Sequence, residues 1–561
     1  MILPASILIL LVGACLLPPL LFTGDEPRYL FASYSIWSGH GLSLPNEMFN
    51  WWFERTHGFA VAHSTGHGPH SVVHAALLSP IVGRWGLEPA RWASAMVGVV
   101  GLVAFPTTLR NLALSPRYTL VIALLMLTVP VLPYMKLIYG EIWLFSLVAW
   151  LLALVSAKTF TASKLMASTA LCVCLVFIHL RAAPIAGVFG AYIAFRAFRE
   201  GVIGRRHIAA TAAVLCLAIL VWLRYQIMIS GGVTQSASPA VAPSPSLFLD
   251  RLAIQLAGFR HGLLLYAPIH LVGFAGVLVA IRHRTQIGML LFLLLVTYMF
   301  VFVWGVASES YTARFWVVAM PIVLLGTVLW IDRAWNVAAA VGVLPIAVYT
   351  LAMTVALFNS SQLFLENRFH SVVFDELVEK GVPFNFALYA PWDPFDLTGI
   401  EMIGEKWTAG VLTVLAGFVL AFVLLCARGA RARAVGMAAA IGLCGLVGYW
   451  SYLDLIELGE AEYVVASGGE RRQVEVAFKA PTVVRGFRVG RISDIPLWNE
   501  PNRPKSFEYE VIGTTGATVM RGRASGRQIN TLSIGQPIAG IRLRGIPPEA
   551  EWPADETRFF K

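Results

Sequence analysis

Apolar and polar residues alternate along most of the chain in long blocks rather than one by one. The apolar blocks approach the roughly 20 residues needed to cross a bilayer, and short loops with Arg or Lys separate them. We predict about thirteen transmembrane helices, each about 17–22 residues long. They begin near residues 3, 93, 118, 141, 165, 183, 208, 262, 286, 315, 336, 408 and 434.

The pattern changes after residue 454. Short alternating or β-branched runs, separated by Gly, Pro, Asn and Asp, follow at 461–466, 472–478, 482–489, 507–512, 517–521, 528–534 and 540–544. About seven short strands in about 100 residues predict a β-sandwich. The expected fold is therefore a polytopic α-helical membrane domain, residues 1–454, followed by a β-rich domain, residues 455–561. That second domain could bind glycan through exposed aromatic residues such as Trp498 or Tyr509, which are equally suited to its core.

Composition excludes a soluble protein. Hydrophobic residues make up 57% of the 561 residues and charged residues only 13%, against about 45–50% and about 25% in an average soluble domain. The net charge of +10 lies mostly in short loops, so it predicts membrane topology and not nucleic-acid binding. All six cysteines lie in apolar segments, which implies neither a disulfide framework nor a thiolate metal site.

The basic loops orient the predicted helices. With the N-terminus in the cytoplasm, only Glu200 and Asp332 oppose the positive charges of six successive inside loops. Those charges are Arg110 and Arg117; Lys158 and Lys164; Arg196, Arg199, Arg205 and Arg206; Arg282 and Arg284; Arg333; and Arg428, Arg431 and Arg433. This topology puts residues 23–92, 229–261, 358–407 and the β-rich domain outside the cytoplasm.

The first outside segment opens with Gly24-Asp25-Glu26-Pro27-Arg28-Tyr29. Two adjacent carboxylates and an arginine at the membrane surface could supply a general base and a phosphate contact. The same residues also suit a helix start, because Asp25 is a good N-cap and Pro27 fits a first turn. The two interpretations are compatible.

Other outside ends of predicted helices carry polar residues that a lipid-facing helix has no reason to keep. One alternative is simple anchoring at the membrane interface. Because the residues cluster on one side, we instead expect a site for an anionic lipid headgroup, in which Arg neutralises phosphate and a carboxylate accepts a proton. The residues are Glu141, His179, Arg181, Arg260, His261, Ser308, Glu309, Tyr311 and Arg314.

Four histidines recur at helical spacing in the first outside segment: His63, His67, His70 and His74. On an unbroken helix they could share one face and bind a divalent metal, the one cofactor that the sequence leaves open. Gly66 and Gly68-Pro69 interrupt such a helix and favour a polar re-entrant or interfacial turn. We expect the apolar stretch from 71 to 85 to lie in the interface, because a crossing there would invert every later loop.

Three local motifs resemble the GT-C superfamily of membrane glycosyltransferases, which use polyprenyl-phosphate sugars as donors. Gly24–Tyr29 resembles the first-loop motif of the lipid A aminoarabinose transferases. The stretch from 63 to 80 resembles the loop before their second helix. Gly262-Leu-Leu-Leu-Tyr-Ala-Pro268, followed by Trp304 and Glu309-Ser-Tyr-Thr-Ala-Arg-Phe315, is similar to a paired pattern in bacterial members. The resemblance covers roughly residues 1 to 330 in the order of elements.

The resemblance implies roles for single residues. Asp25 would be the catalytic base, with Glu26 as substitute or partner, and Arg28 and Tyr29 would lie at the lipid phosphate and donor site. Glu141 stands where the family often has a second acid. The aminoarabinose enzymes carry a Lys before their prolines, whereas this chain has Gly66-His67-Gly68-Pro69, which leaves the donor sugar open.

The leading hypothesis is an inverting hexosyl- or pentosyltransferase in the cytoplasmic (inner) membrane, with its active site and β-rich domain outside. It would use a polyprenyl-phosphate sugar donor and a glycan, lipid or protein acceptor. Arg28, Arg181, Arg260 and Arg314 would stabilise the leaving phosphate, while His67, His179, His261, Glu309 and Tyr311 complete the pocket. The alternatives are a transporter or lipid flippase, which predicts ionisable residues near mid-bilayer, and a non-catalytic scaffold that displays the β-rich domain.

Overall fold

The computed structural model describes most of the predicted membrane domain and the strands of the C-terminal domain. The described residues are 2–18, 20, 26–41, 46–57, 73–202, scattered positions from 204 to 224, 245–257, 262–304, 313–359, 405–427, 429–454, 463–468, 473–484, 486–488, 507–524, 529–531, 536–544 and 558–560.

The first part of the chain is helical. The α-helices are α1 (Ile2–Leu16), α2 (Glu26–Trp37), α3 (Asn46–His57), α4 (Val73–Trp85), α5 (Leu87–Asn111), α6 (Tyr118–Met126), α7 (Val131–Met135), α8 (Gly140–Val155), α9 (Ala162–Ile178), α10 (Ala183–Arg199), α11 (Pro245–Ala257), α12 (Leu263–Tyr266), α13 (Leu271–His283), α14 (Thr285–Trp304), α15 (Met320–Ala334), α16 (Val337–Asn359), α17 (Glu405–Leu425) and α18 (Ala430–Asp454). Short 3₁₀ helices occur at η1 (Leu180–Ala182), η2 (Pro268–His270) and η3 (Arg314–Ala319).

Several of these helices are strongly apolar. Within the described residues, four are long and apolar enough to cross a membrane: Leu87–Asn111, Arg314–Ala334, Val337–Asn359 and Ala430–Val447. Shorter apolar helices include Ile2–Leu16, Gly140–Val155 and Thr285–Phe300. The expected mostly helical, apolar architecture is confirmed, while the number of thirteen spans stays a prediction.

Two of the predicted spans are interrupted. The span expected from 118 divides into α6 and α7, and the span expected from 262 divides into α12, η2 and α13. Pro268 lacks the backbone N–H that would continue the helix through the second break. The span expected from 208 lies mostly outside the described residues.

Close backbone contact holds two of the long helices together. α13 crosses α15 where Gly273 and Gly276 face Gly326, and a Cβ on Gly276 would collide with the Gly326 carbonyl oxygen. Glycine at this crossing therefore lets the two backbones touch. α15 continues directly from η3, and η3 packs against α8. The crossing thus fixes the position of α15. The N-terminal end of α15 is continued by η3, which reaches the candidate site.

Two helices of the first outside segment pack against each other. α2 packs against α4, and the buried Ser33 hydroxyl donates to the Ala75 carbonyl oxygen at 2.9 Å. α4 has 13 residues, about 20 Å of helix, which is shorter than the hydrocarbon core of a bilayer. Its length agrees with the expected interfacial position.

The C-terminal domain consists of β1 (Tyr463–Gly468), β2 (Gln473–Thr482), β3 (Gly486–Arg488), β4 (Phe507–Gly513), β5 (Thr518–Ala524), β6 (Ile529–Thr531), β7 (Ile538–Arg544) and β8 (Arg558–Phe560). The strands form a sheet of order β1-β2-β7-β4-β5 and a second of order β6-β3-β8, with antiparallel pairing. Phe487 and Phe559 of the small sheet contact Tyr509 and Phe478 of the large one. The predicted C-terminal β-structure is confirmed, with β8 as an additional strand.

Candidate active site

The structure describes seven of the thirteen residues that the sequence assigned to the site. These are Glu26, Arg28, Tyr29, Glu141, His179, Arg181 and Arg314. Asp25, His67, Arg260, His261, Glu309 and Tyr311 lie outside the described residues.

A buried ion pair between Glu141 and Arg314 forms the centre of the site. Glu141 lies in the first turn of α8, where the helix N-terminus favours a negative charge. Arg314 begins η3, directly after Ala313, whose φ of 57° gives a left-handed backbone turn. The Arg314 Nε donates to Glu141 Oε1 at 2.6 Å, and both side chains are at most 4% exposed. Helix packing has thus joined residues 173 positions apart in sequence.

Aromatic rings bring a second arginine to the pair. The Arg314 guanidinium lies 4.3 Å from the centre of the Tyr139 ring and 5.7 Å from that of Phe315. Arg181, in η1, lies 5.2 Å from the same Phe315 ring. Cations above ring faces gain electrostatic stabilisation. Phe315 therefore brings two guanidinium groups to a common aromatic surface.

The pKa of Arg181 reflects its closeness to Arg314 and Glu141. Burial lowers the pKa of Arg181, the positive charge of Arg314 lowers it further, and Glu141 opposes both effects. The group remains a cation at neutral pH, since arginine is effectively always protonated in proteins. In the described part of the cluster, two guanidinium groups face one carboxylate. Such a surplus of positive charge is suited to an anion.

Tyr29 connects the first outside segment to this cluster. Its ring lies 4.3 Å from the His74 ring on α4 and 5.8 Å from the Tyr139 ring, measured between centroids. Tyr29, Tyr139 and Arg314 consequently form a continuous series of contacts.

His179 and Arg28 occupy different surroundings. His179 is half-buried, and its Nδ1 accepts a hydrogen bond from the Arg181 backbone N–H at 3.1 Å. That bond fixes the turn from which Arg181 extends. Arg28, one position before Tyr29 on α2, is exposed.

Glu26 is held in a separate buried network. Its carboxylate is fully buried and accepts from Arg91 Nε at 2.9 Å and Arg91 Nη2 at 2.7 Å. The Ile138 N–H also approaches Glu26 Oε1, at 3.4 Å. Burial raises the pKa of Glu26, whereas the Arg91 charge and hydrogen bonds lower it. The structure thus encloses Glu26 in the protein interior, whereas Asp25 lies outside the described residues.

Arg91 also donates hydrogen bonds to two other parts of the chain. Its Nη1 donates to the Leu20 carbonyl oxygen at 3.1 Å and to Glu88 Oε1 at 2.9 Å. The network therefore holds together the end of the first span, the start of α2, the start of α5 and the loop before α8.

Sequence reasoning missed Arg91, Tyr139 and the contact of His74 with Tyr29. Arg91 had a usable signal, because it is an arginine at the outside end of a predicted span, like the residues that were selected. Tyr139 had none, since a tyrosine near a membrane interface is common. His74 was considered only as a metal ligand. Among the described residues, no group of three or more His, Cys, Asp or Glu could hold a metal ion.

Comparison with known proteins gives a weak likeness to solved structures. No protein-family model and no curated protein matches the sequence. The structure is similar to a crystal structure of ArnT from Cupriavidus metallidurans bound to undecaprenyl phosphate, with a TM-score of 0.41 and 13% identity, covering 80% of this chain and 75% of that one. For apo ArnT from the same organism the TM-score is 0.40 and the identity 14%, over 80% and 76% of the two chains. A TM-score below 0.5 does not establish a shared activity.

Proposed function

We propose that this chain is a glycosyltransferase of the cytoplasmic membrane. It transfers one sugar from a polyprenyl-phosphate donor to a hydroxyl group of an envelope glycan, glycolipid or protein, on the outer face of the membrane and with inversion. The observation that carries the proposal is the cluster of the buried Glu141–Arg314 pair with the half-buried Arg181, beside the start of the first outside segment. The Asp-Glu-Pro-Arg-Tyr motif of that segment supports the same reaction.

The two arginines suit the leaving group. When the sugar–oxygen bond breaks, its electron pair stays on the phosphate oxygen and negative charge builds up there. Planar guanidinium groups stabilise phosphate oxygens by paired hydrogen bonds, and more strongly in a site that excludes water. Arg314 is already oriented by Glu141 on its Nε edge and by Tyr139 on its face. Little reorganisation is then needed as the charge develops.

The acceptor hydroxyl requires a base on the opposite side of the sugar. In the proposed mechanism Asp25 accepts this proton while the hydroxyl oxygen attacks the anomeric carbon, which inverts the configuration. Glu26 follows Asp25 directly, so their Cα atoms are about 3.8 Å apart. Because Arg91 fixes Glu26, we assign Glu26 the role of positioning the Asp25 loop.

The test is sugar transfer by purified protein in lipid nanodiscs. A panel of radiolabelled polyprenyl-phosphate sugars is incubated with membrane glycan extracts, and wild type is compared with Asp25→Asn. Asp332→Asn is the matched control, because Asp332 is an exposed carboxylate in a predicted inside loop. We expect product from wild type and Asp332→Asn, and none from Asp25→Asn. Equal transfer by Asp25→Asn would exclude Asp25 as the base.

Donor binding is measured separately with undecaprenyl phosphate, the lipid that ArnT holds in one of the structures above. Binding without transfer, combined with lipid translocation in proteoliposomes, would favour a flippase over a transferase. Absence of both binding and transfer would contradict the proposal.

A further inference from the structure

The large sheet of the C-terminal domain has two chemically different faces. On one face Val476, Tyr509, Ile541 and Leu543 are buried, and Tyr509 contacts Phe487 of the small sheet. Because successive side chains of a strand point to opposite faces, the residues between them point away from this core. Those residues are mostly charged.

A row of charged residues crosses four neighbouring strands on the outward face. In the strand register Glu475 lies opposite Arg542, Arg542 opposite Glu510, and Glu510 opposite Arg521. Arg544, two residues after Arg542 on β7, points to the same face. We call Arg521, Arg542 and Arg544, together with Glu510 between them, the arginine face.

The three arginines converge on one carboxylate. Arg521 Nε lies 3.0 Å from Glu510 Oε1, while Arg544 Nη2 and Arg542 Nη1 lie 3.0 and 3.4 Å from Glu510 Oε2. Arg542 also reaches Glu475 Oε2 at 3.3 Å. The Glu510 side chain is only 6% exposed, whereas those of Arg521 and Arg544 are 73% and 47% exposed. Glu510 thus lies beneath guanidinium groups that remain open to solvent.

The hydrogen-bonding capacity of the arginine face is unbalanced. Three guanidinium groups offer about fifteen N–H donors, whereas the three carboxylates described on this face, Glu475, Glu510 and Glu508, which lies opposite Arg544, provide about twelve acceptor positions. Within the described part of the sheet the donors thus outnumber the acceptors. The exposed Arg521 and Arg544 can therefore bind an additional anion while their contacts with Glu510 stay in place.

We propose that the arginine face binds the carboxylate or phosphate groups of an acidic glycan. A guanidinium group pairs with both kinds of oxyanion through two parallel hydrogen bonds. Under the function proposed above, the bound glycan is the acceptor, held by one domain while the other transfers the sugar. That last step rests on the proposed function, whereas glycan binding rests on the sheet alone.

The composition of the sheet favours a glycan over a lipid surface. Interfacial membrane binding combines basic residues with exposed aromatic or large aliphatic side chains. Of the large hydrophobic residues whose exposure the structure describes in this domain, Val519, two residues before Arg521, is the exposed one, at 41%. The described outward neighbours Ala477, Glu508 and Gly540 have no large apolar side chain to insert.

The experiment measures binding by the full-length protein in nanodiscs of zwitterionic lipid. The probes are fluorescent hexagalacturonate, a carboxylated glycan, and inorganic pyrophosphate; neutral maltohexaose is the control ligand. We expect the acidic glycan to bind more tightly than the neutral one. Arg521→Gln and Arg544→Gln should each weaken that binding about tenfold, since each removes a charge-assisted contact. Lys158→Gln removes the same charge from a predicted inside loop and should leave binding unchanged.

A third variant is expected to have the opposite effect on glycan binding. Glu510→Gln removes the internal carboxylate that competes for the arginines and should tighten binding about threefold. The thermal unfolding temperature of each variant is measured alongside, so that the exposed Arg521→Gln and Arg544→Gln decide the outcome if Glu510→Gln unfolds.

Equal affinity of wild type and both arginine variants for hexagalacturonate would overturn the proposal. So would equal affinity for maltohexaose, or binding only to phosphatidylglycerol vesicles with the same dependence on Arg521 and Arg544. Because no sugar transfer is measured, the result is independent of whether the proposed function holds.

Discussion

Glu26 and Arg91 form a fully buried, two-point ion pair, with N–O distances of 2.9 and 2.7 Å, across 65 residues of sequence. The pair ties the first turn of α2 to α5, and the Ile138 N–H brings in the loop that leads to Tyr139 and Glu141. It therefore couples the start of α2 to the segment that carries Tyr139 and Glu141.

Replacing Arg91 with Gln should strongly destabilise the protein. The variant leaves the Glu26 carboxylate buried without its cation, which typically costs about 3–5 kcal/mol. Thermal unfolding in nanodiscs would measure the loss. Arg110→Gln is the control, because Arg110 lies on the same helix but is exposed. An equal unfolding temperature for both variants would show that the pair does not stabilise the fold.

Arg91→Lys should separate positioning from stability. Lysine keeps the charge but not the fork that engages both Glu26 oxygens. We expect most of the stability to return while kcat for sugar transfer stays low and KM for the donor changes little. A fully restored kcat would mean that the two-point geometry is unimportant for Asp25.

The Glu141–Arg314 pair should show strong coupling in a double-mutant cycle. Glu141→Gln and Arg314→Gln each break the buried pair, at about 3–5 kcal/mol, whereas the double variant removes both charges of the pair together. The free energy of unfolding of the double variant should therefore fall by clearly less than the sum of the single losses. Simple additivity would show that the two residues act independently.

Arg314→Gln should also weaken binding of undecaprenyl phosphate. Loss of one charge-assisted contact to phosphate corresponds to about tenfold or more in affinity. Equilibrium binding in nanodiscs gives the ratio, and the exposed Arg282→Gln is the matched control. Unchanged affinity in Arg314→Gln would remove this residue from the phosphate site.

Gly276→Ala should disrupt the crossing of α13 and α15. The added methyl group meets the Gly326 carbonyl oxygen, and such overpacking costs about 1–3 kcal/mol. Gly187→Ala is the control, because a Cβ there has no heavy atom within 4 Å and alanine is the better helix former by about 1 kcal/mol. Unfolding temperatures should thus move in opposite directions.

The sequence by itself determined the division into apolar helices and a C-terminal β-domain. Both follow from local hydrophobic patterning, which survives whatever the chain packs against. It also placed Tyr29, Glu141, Arg181 and Arg314 among the candidates, because charged and polar residues at the outside ends of apolar segments are visible in the sequence.

Only the tertiary structure decided which of these residues meet. The pairing of Glu26 with Arg91 and of Glu141 with Arg314 depends on how helices far apart in sequence pack, and no local pattern encodes that. The burial of Glu26 beside its neighbour Asp25 could not be predicted either. A carboxylate next to a second one in the sequence gives no sign of its own burial, and only the surrounding fold encloses Glu26 and pairs it with a cation.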